Sequence, residues 1–452
     1  MKRICGMVLV TVVLAACSRE QAGDANGEHK NVVEKVASKV QDAFDVSAPM
    51  GKPEDAAAVA AARQQREKAR FDQQWRQLQS FRAQQAAKAQ AAAQAAPPAA
   101  SPAPTAVSAA PLAPSPFQFV TGVKQKFKGL DAKGINAAPV SLPISGDVRG
   151  PSVLRTQVYL DRDHFSVGSL DGRWGRNSAI TVWWWQRAHG MEPTGDVDEA
   201  TFRSIAQAAG NVPVVISYAL TADDVKGPFV SLPSSPYEKA KLDCLCYESL
   251  REKLSERFHC TEDFLELLNP DVKFSDLQAG TSINVPNVRP AMTADAPDIA
   301  KVIISIAGNS YNAFDAAGNV IFHAPTTLGS GYDPSPDETV KVTRIVHNPQ
   351  FHYDPKLYHE VPDSDPDAQL KPGPNSPVGV VWMALSKPHY GMHGNPDPDS
   401  IGYASSHGCV RLTNWDAEEV SHRIREGVEV SFVDSSHQGM PEVAKKADEK
   451  TR

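Results

Sequence analysis

Residues 91–116 are dominated by alanine, proline and serine, with Ala-Pro-Pro-Ala and Pro-Ala-Pro runs. Such a stretch has almost no large apolar side chains to bury, Leu112 apart, and proline removes the backbone donors that helices and sheets need. It stays extended and serves as a spacer. It therefore divides the 452-residue chain. Every packed domain has to lie beyond it, and the length leads us to expect two or three domains. The net charge of −7 speaks against nucleic acid as a main partner, which would favour a basic surface.

The N-terminus begins Met1-Lys2-Arg3, and residues 4–16 are almost all apolar. That run is too short for a permanent membrane span but fits the basic and apolar regions of a secretion signal. It ends Leu14-Ala15-Ala16-Cys17, which resembles the bacterial lipobox. The resemblance implies that residues 1–16 are a lipoprotein signal peptide and that Cys17 carries lipid, a partner in the membrane. Ser18 follows in place of aspartate, which implies a periplasmic protein anchored to the outer membrane. Residues 17–146 read as a tether. It includes a helix-forming stretch, 54–95, where Phe71, Trp75, Leu78 and Phe81 share a face. Residues 435–452 read as a disordered tail.

Two small modules follow the spacer. Residues 147–212 contain Asp171-Gly172-Arg173-Trp174-Gly175, then Trp185-Gln186-Arg187, then Gly195-Asp196-Val197-Asp198. Glycines permit tight turns and aspartates cap the helices that follow. The pattern resembles the small all-α peptidoglycan-binding domain. Trp183, Trp184 and Trp185 cannot all face one core on a helix, so at least one is expected to be exposed. Residues 237–288 show helix-spaced apolar positions, a break at Asn269-Pro270 and then a turn and a strand within 277–286. This resembles a small α+β LysM-like domain with a weak opening strand. The resemblance implies glycan binding, while packing against neighbours is the other reading.

Residues 299–434 read as a mainly β domain. Strands are predicted over 301–306, 311–314, 319–323, 340–346, 378–385 and 429–433, with a Gly318-Asn319 hairpin turn and a helix over 414–424. Here lie His393-Gly394-Asn395 and Ser405-Ser406-His407-Gly408-Cys409-Val410-Arg411-Leu412. A thiol near an imidazole is a nucleophile–base pair suited to acyl transfer. These residues resemble the signature of the L,D-transpeptidase catalytic domain, the YkuD/ErfK family. Residues 342–349 and 372–379 carry further likeness to its periplasmic branch. The resemblance implies Cys409 as nucleophile and His393 as proton donor and acceptor. It implies that Gly394 orients the histidine through its carbonyl and that amides around Gly408 and Cys409 form an oxyanion hole. It also implies that Ser406, His407 and Arg411 shape the substrate pocket, Arg411 near a substrate carboxylate.

The architecture expected is thus multidomain: a disordered or helical spacer, an all-α peptidoglycan-binding domain, a LysM-like domain and a mainly β catalytic domain. The implied partner is peptidoglycan, through its stem peptides and glycan. The implied reaction transfers the acyl group of a stem tetrapeptide to an amine. An L,D-carboxypeptidase and a non-catalytic lipid-anchored wall tether are the alternatives. No cofactor is implied. Five further histidines, His323, His347, His352, His359 and His389, read as surface or packing residues scattered without metal-ligand spacing, so no metal is expected. Among Cys244, Cys246 and Cys260, a bond across one residue looks too tight, so Cys260 with one of the other two is expected. A free thiol at Cys409 is expected to have a lowered pKa.

Overall fold

The computed structural model describes residues 116–433, apart from 293, 307, 331–333, 337 and 359–360. The signal segment, Cys17, the helix-forming stretch, nearly all of the Ala/Pro-rich spacer, the tail and His359 lie outside the described residues. Among the described residues no helix is long and apolar enough to cross a membrane.

The first module is built on three helices, α2 (Pro151–Arg162), α3 (Arg176–Ala188) and α4 (Glu199–Ala208). Pro151 sits in the first turn of α2, where its missing N–H costs nothing. The Asp198 side chain caps α4 by accepting from the Thr201 amide at 2.7 Å. Gln186, on α3, accepts from the amides of Thr194 and Gly195, both at 2.8 Å, and so fastens the turn between α3 and α4.

Two expectations fail here. The tether does not run to residue 146. Strand β1 (Phe119–Thr121) pairs in parallel with β2 (Val140–Leu142), and α1 (Ala132–Ala137) lies between them. Ile135, Val140, Leu142 and Ile144 are buried in the helical core, and the Phe117 ring meets Phe202 edge-on at 5.3 Å. Arg155 donates to the carbonyls of Ile135, Asn136 and Ala138, which holds this segment on α2. Strands of three residues carry too little periodicity to be seen in sequence; tertiary packing makes them. All three tryptophans are buried, Trp183 the least at 6% exposed. The helix α3 is covered on a second side by strand Val320–Pro325 of the third module: Trp184 stacks on His323, and Trp185 donates to Asp163 at 2.7 Å.

The second module is a β-α-α-β unit. Strand β3 (Val215–Ala219) pairs antiparallel with β4 (Ser282–Pro286), and α5 (Leu250–Arg257) and α6 (Glu262–Leu268) lie between them in sequence. Its opening strand falls before residue 237, so the boundary placed there is too late. A long connection separates β3 from α5, which hid the strand.

That connection carries a second correction. Cys244 and Cys246 are bonded to each other, and Cys260 is a buried free thiol. Their Cα atoms lie 5.2 Å apart, inside the ordinary disulfide range. The bend that allows this is fixed by Leu245, which is fully buried. Its amide donates to Pro372 at 3.0 Å and its carbonyl accepts from Asn375 at 2.9 Å.

The third module is an eight-stranded sheet. Its strands are β5 (Lys301–Ser305), β6 (Ser310–Phe314), β7 (Val320–Pro325), β8 (Thr339–His347), β11 (Val381–Leu385), β12 (Gly391–His393), β13 (Val410–Arg411) and β14 (Glu429–Val433). They run in the order β13-β12-β11-β8-β14-β5-β6-β7. A separate hairpin joins β9 (Phe351–Tyr353) to β10 (Ala368–Leu370). Helix α7 (Asn414–Arg423) contributes Ala417 and Val420 to the core of the sheet. The edge strand β7 is met by the helical module. Ser166 donates to the His323 carbonyl at 2.8 Å, and His323 donates to that of His164 at 3.0 Å. An unpaired strand edge is thereby covered.

The modules converge on Arg289, which is buried. It pairs with Asp161 of α2 at 2.5 Å, with Asp416 of α7 at 3.1 Å, and with Glu419 of α7. His259, from the turn between α5 and α6, also binds Asp161 at 2.7 Å. Arg423 binds Glu419 at 2.8 Å.

Candidate active site

Strands β12 and β13 place the two expected catalytic residues. They pair in parallel, with Met392 opposite Val410 and His393 opposite Arg411. Side chains alternate along a strand, so Cys409, one residue before Val410, lies on the same face as Arg411 and His393. Met392 and Val410 fill the core on the other face.

His393 is buried. Its Nδ1 lies 2.6 Å from the Gly394 carbonyl. A carbonyl only accepts, so Nδ1 carries the hydrogen and Nε2 is left as the basic nitrogen. Burial, with Arg411 beside it, lowers the imidazole pKa to about 3 against the opposing pull of the Gly394 bond. The ring is neutral at any ordinary pH. Trp382 stacks on it, with ring centres 5.4 Å apart. No side chain fits at Gly394, where a Cβ would come within 2.2 Å of Asn414 Oδ1.

Cys409 is half-buried and free. Its Sγ donates to the His389 carbonyl at 3.7 Å. The expected lowering of its pKa is not found. Burial raises it, and the Gly391 amide and Arg411 offset this only in part. Thiol and imidazole are therefore both neutral at rest. Gly408 holds a left-handed conformation with φ +101°, and a Cβ there would stand 2.7 Å from the Tyr390 ring.

The flanking residues divide in role. Ser406 is buried, and its hydroxyl donates to the Cys409 carbonyl at 2.7 Å, so it shapes the turn rather than the pocket wall. His407 meets the Tyr358 ring edge-on at 5.0 Å, beneath the loop between β9 and β10. Burial lowers the Arg411 pKa, while Cys409 and Tyr358 act in the opposite sense. Its buried Nε has no partner among the described residues.

Sequence reasoning missed Trp382, Tyr358, Asn414 and Glu256. Asn414 Oδ1 accepts from the Val380 amide at 3.2 Å and is wedged against Gly379 and Gly394. Its Nδ2 donates to Glu256 at 3.1 and 3.2 Å and to the Pro374 carbonyl at 3.0 Å. A residue of the β-α-α-β module thus reaches the loop that anchors His393. Trp382 had a signal, as a large aromatic at the outward position of an alternating strand. The other three had none.

A thiol just before β13 and a neutral imidazole on β12 are groups suited to cysteine acyl transfer. Residues 300–431 match the model of the L,D-transpeptidase catalytic domain family, YkuD, and residues 149–205 match that of the "Putative peptidoglycan binding domain" family. "Putative L,D-transpeptidase YkuD" of Bacillus licheniformis is 28% identical over 182 residues, 40% of this chain and 92% of that protein. "Probable L,D-transpeptidase YbiS" of Escherichia coli K12 is 27% identical over 171 residues, 37% of this chain and 54% of that protein. A solved structure of L,D-transpeptidase 3 from Mycobacterium tuberculosis matches with a TM-score of 0.26 and 16% identity, over 35% of this chain and 77% of that one. That likeness is too slight to argue from. Residues 300–431 are thus similar to the YkuD-type L,D-transpeptidase catalytic domain, and residues 149–205 to a peptidoglycan-binding domain.

Proposed function

We propose that Cys409 and His393 carry out acyl transfer on peptidoglycan stem tetrapeptides. The observation that carries this reading is the shared face of the two residues together with the Nδ1–Gly394 bond, which leaves His393 Nε2 as a base. His393 takes the thiol proton as the sulfur attacks the carbonyl of the third stem residue. The amides of Gly408 and Cys409, which have no acceptor among the described residues, serve the oxyanion. The intermediate collapses, the terminal D-residue leaves with the proton from His393, and a thioester remains. The amine of a second stem attacks the thioester, His393 takes its proton, and the thiol is restored. Arg411 receives the carboxylate of the departing residue, consistent with its unpartnered Nε. A resting pair that is neutral on both sides suits this course, because charge develops only as the thiol attacks.

The reading extends to the lipobox: Cys17 is the lipidated residue, which places the enzyme in the periplasm on the outer membrane. The β-α-α-β unit supports glycan contact as in LysM-like domains, beside its packing role.

The test is turnover of a tetrapeptide muropeptide by the full chain, followed by mass spectrometry. Cys409→Ser is expected to lose nearly all turnover with the fold intact, and His393→Ala to lose a comparable amount. Cross-linked dimers support an amine acceptor, whereas trimmed tripeptides alone would assign a carboxypeptidase. Substantial turnover by folded Cys409→Ser would overturn the nucleophile.

A further inference from the structure

We propose that His347, Glu418 and His422 bind a divalent cation of the zinc class, at a site on the opposite face of the sheet from His393. The placement follows from register. His347 ends β8 opposite Val381, and the next residue of β11, Trp382, lies opposite His393. Neighbouring residues of one strand point to opposite faces. His347 therefore points to the face on which α7 packs. Glu418 and His422 stand one helical turn apart on α7 and face it.

Two imidazoles and one carboxylate make an N₂O donor set, which suits zinc and its neighbours rather than calcium or magnesium. Glu418 Oε2 lies 3.7 Å from His347 Nδ1, and Glu418 Oε1 lies 3.3 Å from His422 Nε2. All the donor atoms fall within 4.8 Å of one another. Ligands at about 2.0–2.2 Å from a tetrahedral zinc stand roughly 3.3–3.5 Å apart. Two of the contacts are close to that figure, and small side-chain rotations bring in the third.

The outer shell is also present. The nitrogen of His422 not facing Glu418, Nδ1, lies 2.9 Å from Asp295. A carboxylate on the far nitrogen fixes the tautomer and orientation of a metal-binding histidine. His347 and Glu418 are each about 40% exposed, so an ion can enter and a fourth ligand can be water. Asp295 belongs to the segment between β4 and β5, and the Ala296 amide donates to the His422 carbonyl at 2.9 Å. A bound ion would tie that segment, β8 and α7 together. The histidines read as scattered in the sequence because 71 residues separate His347 from Glu418.

The experiment uses the full chain carrying Cys409→Ser, so that the catalytic thiol does not compete for metal. After chelator treatment, zinc chloride is titrated by calorimetry, and bound zinc is counted after dialysis. We expect one equivalent per chain. His347→Gln and His422→Gln should each weaken binding at least tenfold, and Asp295→Asn roughly 10–100-fold. Cobalt(II) should give visible absorption of tetrahedral type, lost in His422→Gln. Circular dichroism reports whether each variant is folded. Absence of stoichiometric zinc, unchanged affinity in both folded histidine variants, or a preference for calcium would each overturn the site.

Discussion

Replacing Arg289 by methionine removes the one cation that three buried carboxylates share. Asp161, Asp416 and Glu419 stay buried, and the basic groups left facing them among the described residues are His259, His164 and Arg423, with the Ser166 and Thr413 hydroxyls on Asp416. Breaking a buried ion pair by deleting one partner costs about 3–5 kcal/mol. At roughly 2 °C per kcal/mol for a large folded unit, the melting temperature should fall by about 6–10 °C. The loss should depend on pH with a definite sign. Burial by itself would raise the Glu419 and Asp161 carboxyls, but Arg289 and the neighbouring histidines hold both below their ordinary values. A depressed carboxyl stabilises the fold above its unfolded pKa, about 4, and that contribution fades as the pH drops through the folded value. Without Arg289 burial prevails and the carboxyls are raised, which destabilises the fold above about pH 4 and not below. The gap between wild type and Arg289→Met should therefore be widest at neutral pH and narrow in acid. Urea unfolding followed by tryptophan fluorescence, from pH 4 to 8, measures it. Adding Asp161→Asn and Glu419→Gln to Arg289→Met should recover part of the loss. A loss under about 1 kcal/mol, or one that does not vary with pH, would refute the account of Arg289 as the shared counter-charge.

Glu256 supplies the opposite case. Burial raises its carboxyl to about 8, with Glu252 adding to this and the Asn414 and Tyr247 hydrogen bonds opposing it. A raised carboxyl loses stability as pH rises from its unfolded value, about 4.3, toward the folded one. Glu256→Gln should flatten the decline in stability between about pH 5 and 8, read as the urea midpoint against pH; equal slopes in the two proteins would exclude a protonated Glu256. Cys17→Ser should release the protein from membranes into the soluble fraction, checked by fractionation with a high-salt wash; retention of the variant would rule out lipidation at that residue.

The catalytic region was legible because its signals are local. Ser406-His407-Gly408-Cys409 is one short stretch, and predicted strands such as β8 and β11 carry alternating buried residues, whereas the short strands β12 and β13 were not predicted. The hairpin at Gly318-Asn319 and the helix at Asn414 follow from turn and capping chemistry. What stayed hidden depends on distance along the chain. Strand β3 acquires its meaning from β4, more than sixty residues later. The burial of all three tryptophans needs a sheet that no helical pattern can announce. The Cys244–Cys246 bond depends on Leu245 docking into a loop near residue 373. The thiol's raised pKa failed expectation for the same reason, since burial is set by the whole surround and motif chemistry sees only the neighbours.

The covering of β7 by the helical module has a consequence for how the chain can be divided. A boundary at residue 299 marks where one recognisable sequence pattern begins, but the cut would strip the edge strand of its partners from Ser166 and His164. It would also leave Asp416 and Glu419 without Arg289. The piece left behind would expose a bare ladder of peptide groups, a template for association with its own copies. In this chain the unit of inheritance is smaller than the unit of folding, and shuffling the catalytic domain onto a new neighbour would first require that neighbour to supply a lid for one strand and a cation for two acids.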